Sequence, residues 1–390
     1  MKSSSVVLKK GKERFFTSRH PWIFSGAIAS FPDQFEQGKI FPVKSSYGEL
    51  LGYAYFHQKM SLSGRVVSFG AEDPYDAIKK NIDHACRLRQ ELLQKGTNAF
   101  RLINGEGDLL PGLIVDQYDK SLVVQSGTLG MDHLLEFVCE ILSNQGRYTA
   151  IYEKSTGGSR KEEGLNERVE VLYGSDQLEI AVLENHFKFI VDWRRGQKTG
   201  FFLDQRSMRE VVMKHSLNRR VLNAFCYTGG FSVYALAGGA EIVDSIDISE
   251  RATEMTQRHL AINGFQKEKN RTICEDVFEF LSQGELNYNF VILDPPAFAK
   301  KKKDIPKAIA GYRMINQRAM EKMPSQSLLL TCSCSYYVNE EKFREMLFQA
   351  AREAKRGVKI VGRHISGMDH PSNLFHPEGD YLKSYLLYLD

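Results

Sequence analysis

The chain has 390 residues, 42% apolar and 26% charged, enough for two or three ordinary globular cores. No run approaches the ~18 apolar residues of a membrane span, and the opening MKSSSVVLKKGKERFF lacks the apolar stretch of a secretion signal, so a cytoplasmic protein is expected. Net charge is only +4, but residues 1–70 hold ten Lys/Arg against four acids, which leaves +6 on that segment and −2 on all that follows.

A small basic module on a near-neutral body points to a polyanionic partner, nucleic acid first. Within it, SVVLKK, WIFSGAI, KIFPVKS, LLGYAYF and GRVVSFG are short apolar or alternating runs broken by Gly, Pro and Asp. That pattern predicts a small β-barrel or sandwich over 1–72, with Trp22 and Phe24 in its core. The helical periodicity of DAIKKNIDHACRLRQELLQ predicts a linker helix over 76–94. A central α+β region then extends to 192. Its strands are FRLING, GLIVDQYDKSLVVQSG, AIYEKS, VEVLYG and LEIAVLENHFKFIVDW, its helix lies near 131–143, and YDK and EN look like hairpin turns.

Over 193–390 strands alternate with helices. RRVLNAF, EIVDSIDIS, RTICED, NFVILDPP, SLLLTCS, GVKIVGR and SYLLYLD read as strands, FSVYALAGG and RATEMTQRHLAING as helices. This predicts an α/β domain with a doubly wound, mostly parallel sheet, which binds ligands beyond the carboxyl ends of its strands. The first such end reads NAFCYTGGF, where Gly229 and Gly230 let backbone approach a ligand that a Cβ would meet. The second ends in Asp247, 24 residues after Asn223, and an acid there suits a ribose diol. The third ends in Glu275-Asp276, where a carboxylate can accept from an adenine amino group. No phosphate-binding Lys-Ser/Thr loop is present, so an adenosine cofactor without pyrophosphate fits these stations best. The bland alternative for each is a turn residue that caps a helix.

The fourth strand ends in Asp294-Pro295-Pro296-Ala297-Phe298, a stiff loop that presents the Asp294 carboxylate. Phe298 offers a face for a base, and Lys300–Lys303 are well placed for phosphates. The fifth delivers TCSCS, residues 331–335. A thiol beside a methyl donor makes chemical sense when the acceptor carbon is not nucleophilic by itself. Carbon 5 of a pyrimidine is such an atom: addition of a thiolate at carbon 6 makes it enamine-like, while Asp294 holds the N3/N4 edge of a flipped cytosine. Cys332 and Cys334 share one strand face, but Cys334 lies further out. Cys332 is expected in the core and Cys334 at the chemistry. The other four cysteines, Cys86, Cys139, Cys226 and Cys274, show neither zinc spacing nor a disulfide framework.

These residues resemble the bacterial large-subunit ribosomal RNA cytosine-C5 methyltransferase family. The resemblance runs from RHPWIFSGAI (19–28) and LINGEGDLLPGLIVDQY (102–118) through KTGFFLDQR (198–206), NAFCYTGGFSV (223–233), DPPAF (294–298) and SCS (333–335) to HPEGDYLK (376–383). It implies a class I Rossmann-like methyltransferase with its last strand antiparallel, behind an N-terminal PUA-like β-barrel and the central α+β domain. It also implies S-adenosylmethionine as cofactor, S-adenosylhomocysteine as product, and large-subunit ribosomal RNA as partner. The middle Cys334 of SCS is implied as nucleophile with Asp294 beside it. KTGFFLDQR is implied to wrap the cofactor through Thr199, Gly200, Asp204, Gln205 and Arg206, with Arg206 able to pair with the methionine carboxylate.

Further cofactor contacts are expected from Asn223, Phe225, Tyr227, Thr228, Gly229 and Gly230 at the first strand end. Asp247, Ile248 and Ser249 would follow at the second, Asp276 and Val277 at the third, Asp294 and Pro295 at the fourth. RNA is expected on Pro296, Phe298, Lys300 and Lys301, and on Lys9, Arg14 and Arg19 of the basic module. Related enzymes carry a second cysteine in the fourth-strand motif, whereas this chain has Pro296-Ala297. That leaves the base for the carbon-5 proton open, a water held by Asp294 being one candidate.

Rival functions are methylation at carbon 5 of uracil or at an exocyclic purine nitrogen, and a cofactor-free RNA-binding or ribosome-assembly protein. Tyr312 and Asn316, four apart on one helix face, either touch the target or pack. His370 and His376 line the cleft or serve a turn, and no histidine has metal spacing. Oligomeric state is open, a homodimer included.

Overall fold

The computed structural model describes residues 4–92, 95–299 and 301–390, in two compact units. The first comprises residues 1–186, 190–203 and 367–379, the second 187–189, 204–366 and 380–390.

The first unit opens with a six-stranded sheet in the order Trp22–Phe24, Leu62–Phe69, Leu50–Phe56, Ile40–Lys44, Val6–Leu8, Ile28–Ser30. Its inward positions Val6, Leu8, Ile23, Val43, Phe56 and Val66 form one buried cluster. Ile23, not its neighbours, faces that core. Trp22 is half-buried with its indole donating to Glu106 Oε1 at 2.8 Å, and Phe24 is 44% exposed. This corrects the placing of both rings in the core: in a three-residue strand of period two, one inward position takes Ile23 and leaves the flanking rings outside.

The helix Pro74–Leu92 packs on Leu62–Phe69 and on Ala99–Asn104. Ala99–Asn104 is an edge of a five-stranded sheet that continues through Leu113–Tyr118, Ser121–Ser126, Ala150–Ser155 and Arg168–Gly174. The helix Leu129–Ser143 begins where Thr128 Oγ1 accepts from Met131 N. Asp119 turns the first predicted hairpin with φ +55°. The second turns at Asn185-His186, φ +49° and +69°, one residue later than the Glu-Asn pair suggests, because the turn needs two left-handed residues and Asn tolerates that region better than Glu.

The second unit is a seven-stranded sheet. We label its strands β1 (Arg220–Ala224), β2 (Ile242–Asp247), β3 (Asn270–Cys274), β4 (Phe290–Leu293), β5 (Ser327–Ser333), β6 (Val358–Arg363) and β7 (Lys383–Leu389). Their spatial order is 3-2-1-4-5-7-6, with only β7 antiparallel to its neighbours. The helices are α1 (Arg206–His215), α2 (Gly230–Ala237), α3 (Glu250–Ile262), α4 (Val277–Phe280), α5 (Ile305–Lys322) and α6 (Glu340–Glu353). Every residue of β4 and β5 is buried, as expected of central parallel strands covered on both faces. Among the described residues, no helix is long and apolar enough to cross a membrane.

Candidate active site

The carboxyl ends of β1, β2, β3, β4 and β5 lie along one edge of the second unit's sheet, and the predicted stations occupy them. Asn223, near the end of β1, is fully buried and donates Nδ2 to Ser232 Oγ at 2.8 Å. After it the chain takes left-handed backbone at Phe225 (φ +59°), Tyr227 (+48°) and Gly229 (+76°). Two non-glycine residues there mark a strained turn. A Cβ on Gly229 would lie 2.5 Å from Thr256 Cγ2, and one on Gly230 3.1 Å from Arg209 Cδ. Gly229 is therefore required by its backbone and by close packing beneath the turn, whereas at Gly230 the Arg209 side chain would have to shift by a few tenths of an ångström. Asp247 closes the turn by accepting from Tyr227 N at 2.9 Å and from Ser249 N at 3.0 Å. Beside it Ile248 is 70% exposed, a large apolar side chain left in water at the strand end.

Ser249 caps α3, its Oγ accepting from Ala252 N at 3.3 Å. Asp276 caps α4, accepting from Phe278 N at 2.7 Å and Glu279 N at 3.2 Å through Oδ1; Val277 is buried behind it. For these two, the capping alternative is present in the structure. It leaves Asp276 Oδ2 with lone pairs, since a carboxylate has about four acceptor sites.

At the end of β4, Asp294 Oδ1 accepts from Gln205 Nε2 at 3.0 Å. Pro295 is buried and Pro296 exposed. Phe298 turns inward and packs against Tyr312 with ring centroids 4.6 Å apart and against Phe278 at 5.9 Å, in contact with the core of the unit. Lys301 is exposed and its backbone N donates to Asp304 Oδ2 at 3.0 Å. Lys300 lies outside the described residues.

The two thiols at the end of β5 separate cleanly. Cys332 is fully buried, and burial, followed by the Asp294 carboxylate, pushes its thiol well up; a thiol so placed is inert. Cys334 is the first residue beyond the strand, partly exposed, with Sγ 3.9 Å from the Pro295 carbonyl oxygen. Ser335 anchors the turn. Its Oγ accepts from Ala299 N at 3.2 Å and lies 2.9 Å from the Tyr312 hydroxyl, and its carbonyl accepts from Lys383 Nζ at 2.8 Å. Tyr312 and Asn316 are both fully buried, with the Tyr312 hydroxyl beneath the turn that carries Cys334. Sequence alone assigns Lys383 no role, although it closes the HPEGDYLK motif and opens the mostly apolar strand KSYLLYL.

KTGFFLDQR is divided between the units. Thr199 and Gly200 belong to the first, where the Thr199 hydroxyl is buried, hydrogen-bonded to Asp116 Oδ2 and 3.0 Å from the Tyr118 hydroxyl. Gly200 has φ +126°, and a Cβ there would lie 2.6 Å from Val191 Cγ1. Asp204 and Arg206 belong to the second unit and are buried; Asp204 Oδ2 accepts from the Tyr381 hydroxyl. In the first unit, Lys9, Arg14 and Arg19 are exposed. His370 and His376 are buried there, His376 edge-on to Trp22 with centroids 4.3 Å apart.

The donors and acceptors left over fit a polar organic cofactor. Asn223 Oδ1, Thr228 Oγ1 and Gln205 Oε1 are buried without a hydrogen-bond partner among the described residues, and buried polar atoms are seldom left so unless a ligand or water completes them.

The chain matches the S-adenosylmethionine-dependent methyltransferase family over residues 159–373 and the PUA-like domain over 6–69. Ribosomal RNA large subunit methyltransferase I of Vibrio cholerae is 37% identical over 390 residues, covering 98% of both chains. The protein of that name from Aeromonas hydrophila is 34% identical over 394 residues, covering 99% of both. Among solved structures, a SAM-dependent methyltransferase from Streptococcus mutans superposes with a TM-score of 0.84 over 99% of this chain and 100% of its own, at 21% identity, and shares the fold. The strand order, the PUA-like sheet and these end-to-end matches place the chain in the ribosomal RNA large subunit methyltransferase I family, S-adenosylmethionine-dependent enzymes with an N-terminal PUA-like domain.

Proposed function

We propose that the protein forms 5-methylcytosine in large-subunit ribosomal RNA, with Cys334 adding transiently to carbon 6 of the base. The observation that carries this is the contrast between the two thiols at the end of β5: Cys332 is sealed in the core, whereas Cys334 stands beyond the strand end, partly exposed, against the Asp294-Pro295 loop. A methyltransferase acting on an exocyclic nitrogen has no use for such a sulfur.

S-adenosylmethionine, when bound, supplies an electrophilic methyl group on a sulfonium. Gly229 with the strained turn, Asp247, Asp276 and the orphaned oxygens of Asn223 and Thr228 are the groups that would hold its adenosine. Gln205 and Arg206 would hold its amino-acid end, and the exposed side chain of Ile248 offers a face for the adenine ring. On the RNA side, the Cys334 thiolate forms a bond to carbon 6 and pushes electron density to carbon 5. Asp294 accepts from the exocyclic amine and fixes the pyrimidine edge. After methyl transfer a water held by Asp294 takes the carbon-5 proton, and the electron pair of that C–H bond re-forms the double bond as the sulfur departs with the C6–S pair. The base must be unstacked to reach this edge, which loops and single strands permit at least cost.

The test is trapping. RNA carrying 5-fluorocytidine at the target cannot lose a proton from carbon 5, so a stable protein–RNA adduct is expected with the wild type and none with Cys334→Ala, which should also abolish methylation. Substantial methylation by Cys334→Ala, or adducts only with 5-fluorouridine RNA, would overturn the assignment to cytosine.

A further inference from the structure

One buried cation adjoins the turn that carries Cys334. Lys383 opens β7 directly opposite Ser333 of β5, is only 8% exposed, and donates Nζ to the Ser335 carbonyl at 2.8 Å. An ammonium has three donors. Among the described residues that carbonyl is its one hydrogen-bonded acceptor, and no carboxylate forms an ion pair with it.

Five elements contribute titratable groups to this region. Cys334 follows β5, Asp380 precedes β7, and Glu340 starts α6 with its carboxylate already accepting from the Tyr385 hydroxyl at 2.6 Å. Tyr312 of α5 reaches the same turn through Ser335, and Cys332 of β5 feels the charges of both Asp294, after β4, and Cys334. Burial outweighs the negative neighbours and pulls Lys383 down to about 8. A buried cation with so little compensation gains most from an anion forming beside it.

Resting on Cys334 as the nucleophile, we infer that Lys383 is a positioning residue that supplies the counter-charge to the Cys334 thiolate. When the thiol ionises, the S–H electron pair stays on sulfur and the proton passes to solvent, while Nζ keeps its three protons. When the bond to carbon 6 breaks at the end of the cycle, its electron pair returns to sulfur and the same ion pair is restored. No further reactant is required. The arrangement also gives Ser335 a purpose: its carbonyl aims the ammonium and its hydroxyl pins the turn, so the sulfur and the cation keep a fixed relation.

The full-length protein tests this without RNA or cofactor. The rate of Cys334 alkylation by iodoacetamide is followed against pH by mass spectrometry of the Cys334 peptide. Lys383→Met should move the midpoint up by about one pH unit or more, roughly tenfold less thiolate at neutral pH. Lys383→Gln should do the same while keeping a donor for the Ser335 carbonyl, and it carries the test if Lys383→Met does not fold. Lys383→Arg should hold the midpoint near the wild-type value. Midpoints in Lys383→Met and Lys383→Gln that match the wild type overturn the proposal. Trapping by 5-fluorocytidine RNA is scored separately on the wild type. Its failure alongside a shifted midpoint would sink the cytosine chemistry and leave the ion pair standing.

Discussion

Gln205 Nε2 donates to Asp294 Oδ1 at 3.0 Å, tying the residue before α1 to the end of β4. The amide therefore aims the carboxylate that is proposed to hold the cytosine edge. Gln205→Leu should leave the protein folded and lower kcat/KM for RNA by roughly 10- to 100-fold, the range expected when a hydrogen bond to a charged group worth about 1.5–3 kcal/mol is removed. Steady-state kinetics on a ribosomal RNA fragment would show it, and a variant as active as the wild type would detach Gln205 from the chemistry.

Tyr312→Phe removes the hydroxyl that lies 2.9 Å from Ser335 Oγ while keeping the ring packed on Phe298 and Phe343. Ser335 retains its bond from Ala299 N, so the turn should loosen rather than collapse. The expected stability loss is about 1 kcal/mol. A fall in kcat of about tenfold, the equivalent of about 1.4 kcal/mol at the barrier, should accompany it with cofactor affinity unchanged. Single-turnover methylation and calorimetry with S-adenosylhomocysteine separate the two; unchanged kcat would reduce Tyr312 to packing.

Gly229→Ala combines two costs, a left-handed backbone at φ +76° and a Cβ 2.5 Å from Thr256 Cγ2. About 1–3 kcal/mol of destabilisation is expected, with weaker S-adenosylhomocysteine binding because Tyr227 N and Asp247 share the same turn. Urea unfolding and calorimetry would measure both. Wild-type affinity in the variant would remove the turn from the cofactor site.

What sequence reveals about this molecule follows from range. The unbroken apolar runs FVIL and SLLLT announce buried parallel strands, and the step from strand to loop is enough to separate Cys332 from Cys334. Gly229 declares itself through a conformation other residues avoid. Lys383 and Ser335 could not be paired in advance, because 48 positions separate them and only the antiparallel register of β7 on β5 brings the side chain to that carbonyl. The Thr199–Asp116 contact spans 83 positions in the same way. Asp276 shows the opposite limit. The sequence places it correctly at a strand end, yet helix capping and ligand binding ask for the same residue type, and only geometry shows that one oxygen is already committed to the cap.

Lys9, Arg14 and Arg19 lie exposed on the basic PUA-like sheet unit, where each is proposed to meet a phosphate. Replacing all three with Gln should lower the magnitude of the slope of log K against log salt by about 0.7–0.9 for each phosphate no longer neutralised. Binding to S-adenosylhomocysteine should not change. Filter binding of ribosomal RNA across a salt series would check this, and an unaltered slope would place the RNA elsewhere.

His376 offers a pH test of the first unit. It is buried edge-on to Trp22, and burial lowers its pKa despite Glu106 and Glu378 nearby, with His20 adding to the depression. The unfolded chain titrates this residue near 6.5, so as pH falls through that value the unfolded state takes up the proton first and stability drains away. It is fully present above about 6.5 and declines below it, by at most about 1.4 kcal/mol per pH unit until the folded state also protonates. His376→Gln cannot titrate, so its unfolding midpoint should fall less than the wild type's between pH 7.5 and pH 5.5. Parallel acid sensitivity in the two proteins would mean that other groups carry the transition and that the packing on Trp22 tolerates a charged ring.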